Sequence, residues 1–107
     1  MIIFEDFKKL DIRIGKVVDA QKIPEGEKLI KLIFDIGEKQ IQVMAGIAQW
    51  FEDPSVLVGK EMPVVVNLEP KKLRGYESQG MILAADGDGK PVLLHPAQEV
   101  PPGSIVK

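Results

Sequence analysis

From residue 30 to residue 45 the chain alternates. Ile30, Leu32, Phe34 and Ile36 fall on one side of an extended backbone, with Lys31 and Asp35 on the other. Gly37, Glu38 and Lys39 interrupt, and Ile41, Val43 and Ala45 then resume the period of two. Side chains that return to one face every second residue describe a strand, so the stretch reads as a hairpin with one buried face. A lone hairpin is marginal in water, which requires more strands. Residues 10–16 (LDIRIGK) supply one, with Leu10, Ile12 and Ile14 on one face and Asp11 and Arg13 on the other. Gly15 is expected to mark a bulge or sharp bend. Residues 61–68 (EMPVVVNL) supply another, with Met62, Val64, Val66 and Leu68 alternating. Residues 80–85 (GMILAA) read as a short buried strand, DGDGK at 86–90 as a tight turn, and PVLL at 91–94 as a small strand.

Two stretches have helical spacing. Phe4, Phe7 and Leu10 recur every three residues, enough for one or two turns. Residues 53–59 (DPSVLVG) offer Asp53 as N-cap, Pro54 at the first helical position and Gly59 as terminator. The tail, HPAQEVPPGSIVK, is rich in proline and is expected to be an extended arm or loop. No repeat or linker divides the chain, so residues 1–107 are expected to form one domain. Five short strands with a short helix between the third and fourth suggest an all-β fold, a five-stranded Greek-key barrel of the OB type, and strand count alone does not separate it from other small barrels.

Composition excludes more than it selects. There are no cysteines, which removes disulfides, thiolate zinc sites and a cysteine nucleophile, and fits a reducing compartment. No apolar run approaches a membrane span, and the start, MIIFEDFKK, lacks the pattern of a secretion signal. The expected location is cytoplasmic. Net charge is −2, so a nucleic-acid contact would have to be a local patch on an otherwise repulsive surface.

Catalysis is not expected, and neither is a cofactor or metal. The single histidine, His95, sits in the tail, and Ser55, Ser78 and Ser104 have no base in sequence reach. DGDG would need a carboxylate at the twelfth position of a calcium loop and has Ala97 there, so it reads as a turn. Trp50 and Phe51 could stack on a base, but they precede a capped turn and are expected to close one end of the core. Lys28 and Lys31 alone read as exposed strand lysines. The block at 67–81 (NLEPKKLRGYESQGM) is more pointed. Pro70 stops a strand, Lys71, Lys72 and Arg74 follow, and Gly75 and Gly80 permit a tight path and a close approach. Lysine neutralises phosphate as a point charge, and arginine grips it with two bonds. Ser78 can donate a hydrogen bond, and Met81 can lie against a base or ribose. The same residues also describe a solvated connection in which Glu69 and Glu77 cancel part of the charge. On chemistry alone both readings stay open.

The chain resembles the tRNA-binding domain family, which includes the C-terminal domain or separate beta chain of methionyl-tRNA synthetase, free-standing tRNA-binding proteins and the endothelial monocyte-activating polypeptide type of domain. The resemblance runs through LDIRIGKV (10–17), EKLIKLIFDIG (27–37), MAGIAQWF (44–51) and LVGK (57–60), and peaks at VVNLEPKKLRGYESQGMILAA (65–85). It implies the same barrel with extra C-terminal strands, and non-catalytic recognition of tRNA by shape at the outer corner of the L. By position, Asn67, Lys72, Arg74, Ser78 and Met81 match the family's binding block, and Lys28 and Lys31 its second basic edge. The implied partners are tRNA, a second copy of the chain in a homodimer, and the catalytic chain of methionyl-tRNA synthetase. A free-standing tRNA-binding protein and a chaperone-like, polypeptide-binding protein of the same barrel are the alternatives. The match departs at Ile23-Pro24, where the family often has His-Pro.

Overall fold

The computed structural model describes residues 1–24 and 26–107. After one exposed helical turn, Phe4–Phe7, the chain is mostly β. The strands are β1 (Ile12–Ile23), β2 (Gly26–Asp35), β3 (Gln40–Ala45), β4 (Glu61–Val65), β5 (Lys71–Leu73), β6 (Tyr76–Ser78), β7 (Met81–Ile82), β8 (Ala84–Gly87), β9 (Lys90–Leu93) and β10 (Ile105–Val106). The main sheet is antiparallel in the order β3-β2-β1-β4-β7, with β10 added against the start of β1. β5 pairs β6, and β8 pairs β9, as two separate ribbons.

The alternation at 30–45 gives the β2–β3 hairpin, with Ile30 opposite Ala45 and Phe34 opposite Ile41. Ile30, Leu32 and Phe34 are wholly buried, and each contributes about 1.5–3 kcal/mol of transfer free energy. β4 departs from the expected alternation because it is buried on both faces from Glu61 to Val65. β1 bends so that its first half pairs β4 and its second half pairs β2. Register shifts lie between Val17 and Asp19 and between Lys22 and Ile23, not at Gly15. Gly15 is needed for a different reason: a Cβ there would lie 2.7 Å from Cδ1 of Phe34.

The main path is open, and no ladder among the described residues joins β3 to β7. The gap is bridged by the segment between β6 and β7. Gln79 donates its backbone N–H to the Gln42 carbonyl at 2.8 Å, and the Gln79 side-chain oxygen accepts from Gln42 N–H at 2.9 Å.

Two expectations are corrected. The segment 80–85 is not a buried strand: Met81 is half exposed, and the chain leaves the sheet after Ile82 to enter the β8–β9 ribbon. The capped segment after Asp53 forms a 3-10 turn, Pro54–Leu57, and another 3-10 turn, Ala48–Trp50, precedes it. The proline-rich tail is a loop, as expected, and it is tied to the body before the short strand β10. Gly103 N–H donates to Ile14 O at 2.7 Å, Ile14 N–H to Ser104 O at 2.8 Å, and Val100 N–H to the Glu61 carboxylate at 2.9 Å. Trp50 and Phe51 pack against the core as partly buried residues, as their position predicts.

Candidate nucleic-acid interface

The basic block folds as the β5–β6 ribbon. Lys71 lies opposite Ser78, Lys72 opposite Glu77, and Leu73 opposite Tyr76, leaving Arg74 and Gly75 as a two-residue turn. Their φ values are 52° and 84°. Tight hairpins favour positive φ at both central positions because the turn's twist then matches that of the strands. Glycine reaches this region freely. An arginine there is uncommon, since its Cβ crowds the backbone, and Asn or Gly is the usual occupant.

The ribbon is fixed at its base and open at its tip. Ser78 is buried, and its hydroxyl accepts from Met44 N–H at 3.0 Å and donates to Gly80 O at 3.1 Å. Gln42 adds a side-chain bond to Glu77 O at 2.9 Å. Gly80 allows this approach, because a Cβ on it would lie 2.7 Å from Val65 O. The tip reaches the start of β2, where a Cβ on Gly26 would lie 3.3 Å from Cγ of Arg74. Arg74, Lys28, Glu27 and Leu29 line one groove of about 320 Å³ there. Lys31, on the same strand, holds its ammonium 5.9 Å from the centre of the Tyr76 ring, within cation–π range.

Three predicted residues therefore converge: Arg74 and Lys28 across the groove, and Lys31 beside the ribbon. Among the described residues none of them, nor Lys72, is in an ion pair. Arg13 is the contrast. It bonds Asp11 twice, at 3.0 and 3.2 Å, and these bonds raise its guanidinium pKa above the usual value.

The other predicted residues are placed differently. Lys72 is exposed on the ribbon face opposite to Ser78. Met81 borders a second groove of about 270 Å³ with Met44, Leu68, Lys71 and Leu73. Asn67 is engaged within the chain: its carbonyl accepts from Asp11 N–H and its amide donates to Lys9 O, both at 2.8 Å. Ser78 thus seats the ribbon on β3, and Asn67, itself exposed, ties the chain just after β4 to the residues before β1. Tyr76, Gln42 and Gln79 were not predicted. Arg-Gly read as a hairpin turn would have found Tyr76 as the partner of Leu73, whereas nothing local marks the glutamines. Among the described residues no group of three His, Asp or Glu side chains is arranged to hold a metal. Cations without an ion pair among the described residues suit anion contacts, and Tyr76 already carries one ammonium against its ring.

A methionine–tRNA ligase of Archaeoglobus fulgidus is 55% identical over 105 residues, covering 98% of this chain and 16% of that protein. The corresponding ligase of Thermotoga maritima is 48% identical, again over 98% of this chain and 16% of its own length. The chain therefore spans about one sixth of these relatives. Among solved structures, a MetRS related protein from Pyrococcus horikoshii superposes with TM-score 0.93 at 41% identity, covering 100% of this chain and 98% of that one. The chaperone CsaA from Bacillus anthracis superposes with TM-score 0.89 at 37% identity, covering 100% and 99%. The family model described as "Putative tRNA binding domain" matches residues 12–105. On that match and these identities, the chain belongs to the tRNA binding domain family.

Proposed function

We propose that the tip of the β5–β6 ribbon and the start of β2 form a phosphate-gripping edge that binds folded tRNA without catalysis. The observation that carries this is the groove shared by Arg74 and Lys28, two cations with no ion-pair partner among the described residues, on a chain of net charge −2. An unpaired basic edge on an acidic body limits RNA to one face. Contacts to phosphate and 2′-hydroxyl then read shape in place of sequence. Lys31 and Lys72 extend the edge, Met81 offers an apolar contact beside it, and Ser78 and Asn67 keep the ribbon and the β1 start in register.

The wider reading is a single domain of the OB-barrel type, with the Gln42–Gln79 bonds closing the open sheet path. The domain works in the cytoplasm and raises the local concentration of tRNA for a methionyl-tRNA synthetase. A homodimer fits the exposed Ile2, Ile3 and Phe4 of the N-terminal turn together with the exposed Ile105 and Val106 of β10, a patch that usually marks an interface. The likeness to the chaperone CsaA favours one second reading, binding of unfolded polypeptide.

The test is a gel shift with tRNA, an RNA duplex and single-stranded DNA, beside a denatured polypeptide client, repeated with Arg74→Ala and with Lys39→Ala in the turn between β2 and β3. Preference for tRNA is expected. Arg74→Ala is expected to cost about 1.5–3 kcal/mol of binding and to flatten the salt slope by about one unit. Equal losses in the two variants would reduce the edge to bulk charge. Retention of a denatured client in place of tRNA would select the chaperone reading.

A further inference from the structure

Trp50 is the only tryptophan in the chain. The 3-10 turn Ala48–Trp50 carries it, anchored by buried Ala48. One side of the indole packs against the core, and the residue also lines an open groove of about 310 Å³. The opposite wall is the β8–β9 ribbon, with Ala84, Ala85 and Lys90. Gly46, Ala84 and Ala85 are small, so the groove is not filled from its own lining. Among the described residues the indole N–H has no acceptor. Asp86 also lines the groove, but its carboxylate accepts from Gly89 N–H at 2.6 Å and so serves the turn.

This groove lies at the same end of the β2–β3 hairpin as the basic edge. Gly46 directly follows β3, and a Cβ on it would lie 4.0 Å from the carbonyl of Lys28. Lys28 in turn shares its groove with Arg74. The order across the surface is therefore Arg74, Lys28, Gly46, then Trp50 with Lys90. A flat aromatic beside a lysine with no ion-pair partner among the described residues matches the chemistry of an unpaired nucleotide: the ring stacks on the base and the ammonium meets the phosphate.

We propose that the Trp50–Lys90 groove is a second subsite that takes one unstacked base of the RNA whose backbone lies on the Arg74–Lys28 edge. The assignment rests on the tRNA reading above. It adds a preference for RNA with unpaired nucleotides next to a folded element, which phosphate contacts alone would not give.

Because Trp50 is unique, its fluorescence reports on this groove in the unmodified protein. Emission is followed while tRNA, a short single-stranded oligoribonucleotide or a blunt RNA duplex is added, with binding measured in parallel by gel shift. tRNA and the oligoribonucleotide are expected to quench Trp50, the tRNA with the same midpoint as the gel shift, while the duplex leaves emission unchanged. Lys90→Ala is expected to move the tRNA midpoint several-fold higher. Trp50→Leu is expected to weaken binding about tenfold, with folding checked by thermal melting. Bound tRNA with unchanged emission would overturn the subsite and leave the Arg74 edge standing. Equal quenching by the duplex would overturn the role of an unstacked base. Absence of any RNA shift would overturn the edge and the subsite together.

Discussion

β2 and the β5–β6 ribbon meet at the basic groove, yet they are built in opposite ways. β2 buries Ile30, Leu32 and Phe34 completely and pairs on both edges, with β1 and with β3. The ribbon buries only Ser78, pairs only with itself, and ends in an arginine at positive φ. Stability near β2 is apolar and collective. In the ribbon it comes from a few polar bonds at the base, which leaves the tip free to present charge. A site that must meet a large, flat, charged partner benefits from that division, because the charged side chains need not serve the core as well.

The widest separation between the two regions should come from Phe34→Ala. Phe34 is wholly buried and its ring packs on Gly15, so truncation should cost about 3–5 kcal/mol, read from denaturant unfolding. Any loss of tRNA binding should then follow the loss of folded protein. A variant that stays fully folded but no longer binds would show that the core and the edge are coupled more closely than the packing implies.

Ser78→Ala tests the ribbon's anchor. It leaves Met44 N–H buried without its partner, which should cost about 1–3 kcal/mol. Here binding should fall further than stability explains, because the ribbon loses its seat on β3. Restored binding in Ser78→Thr, with the hydroxyl kept, would separate positioning from direct contact. Equal binding by the alanine variant at saturating folded protein would show that the ribbon needs no anchor.

Arg74→Asn sharpens the contrast at the tip. Asparagine tolerates the left-handed region far better than arginine, so stability should hold or rise by a few tenths of a kcal/mol, while tRNA affinity should drop about as far as in Arg74→Ala. A rise in stability with a fall in binding would mean that the chain keeps a locally unfavourable residue for its charge. A fall in both would place Arg74 among the structural residues.

The same contrast explains what was legible in the sequence. Period two at 30–45 survives into the structure because one face is solvent and the other is core, and each residue records which. Residues 61–65 lose the pattern because both faces are covered. The tail's proline content spoke against regular strands, but Gly103, with φ at 90°, lets it cross close to Ile36 and hydrogen-bond to β1. At the interface, the basic residue types and Gly75 were readable locally. That Lys28 meets Arg74, that Asn67 is engaged within the chain and that Ser78 is buried depends on contacts across the fold: Asn67 bonds to residues 9 and 11, and Ser78 to residue 44.

The smallest expected effect lies on the body, away from the edge. Asp53 caps the 3-10 turn Pro54–Leu57, accepting from the Ser55 hydroxyl at 2.7 Å and from Ser55 N–H at 3.0 Å. The hydroxyl bond first, and the backbone bond second, hold its carboxyl below the usual value. A depressed folded pKa means that the contribution is complete above the unfolded value of about 3.9 and is lost as pH falls through the folded value. Asp53→Asn keeps a capping oxygen and removes the charge. The melting-temperature gap between wild type and variant should therefore be small at pH 7, narrow below about pH 4, and leave tRNA binding untouched at neutral pH. A gap that is the same at pH 3 and pH 7 would mean that the carboxylate's charge adds nothing to the cap. A change in tRNA affinity would extend the binding surface beyond the ribbon, β2 and the Trp50–Lys90 groove.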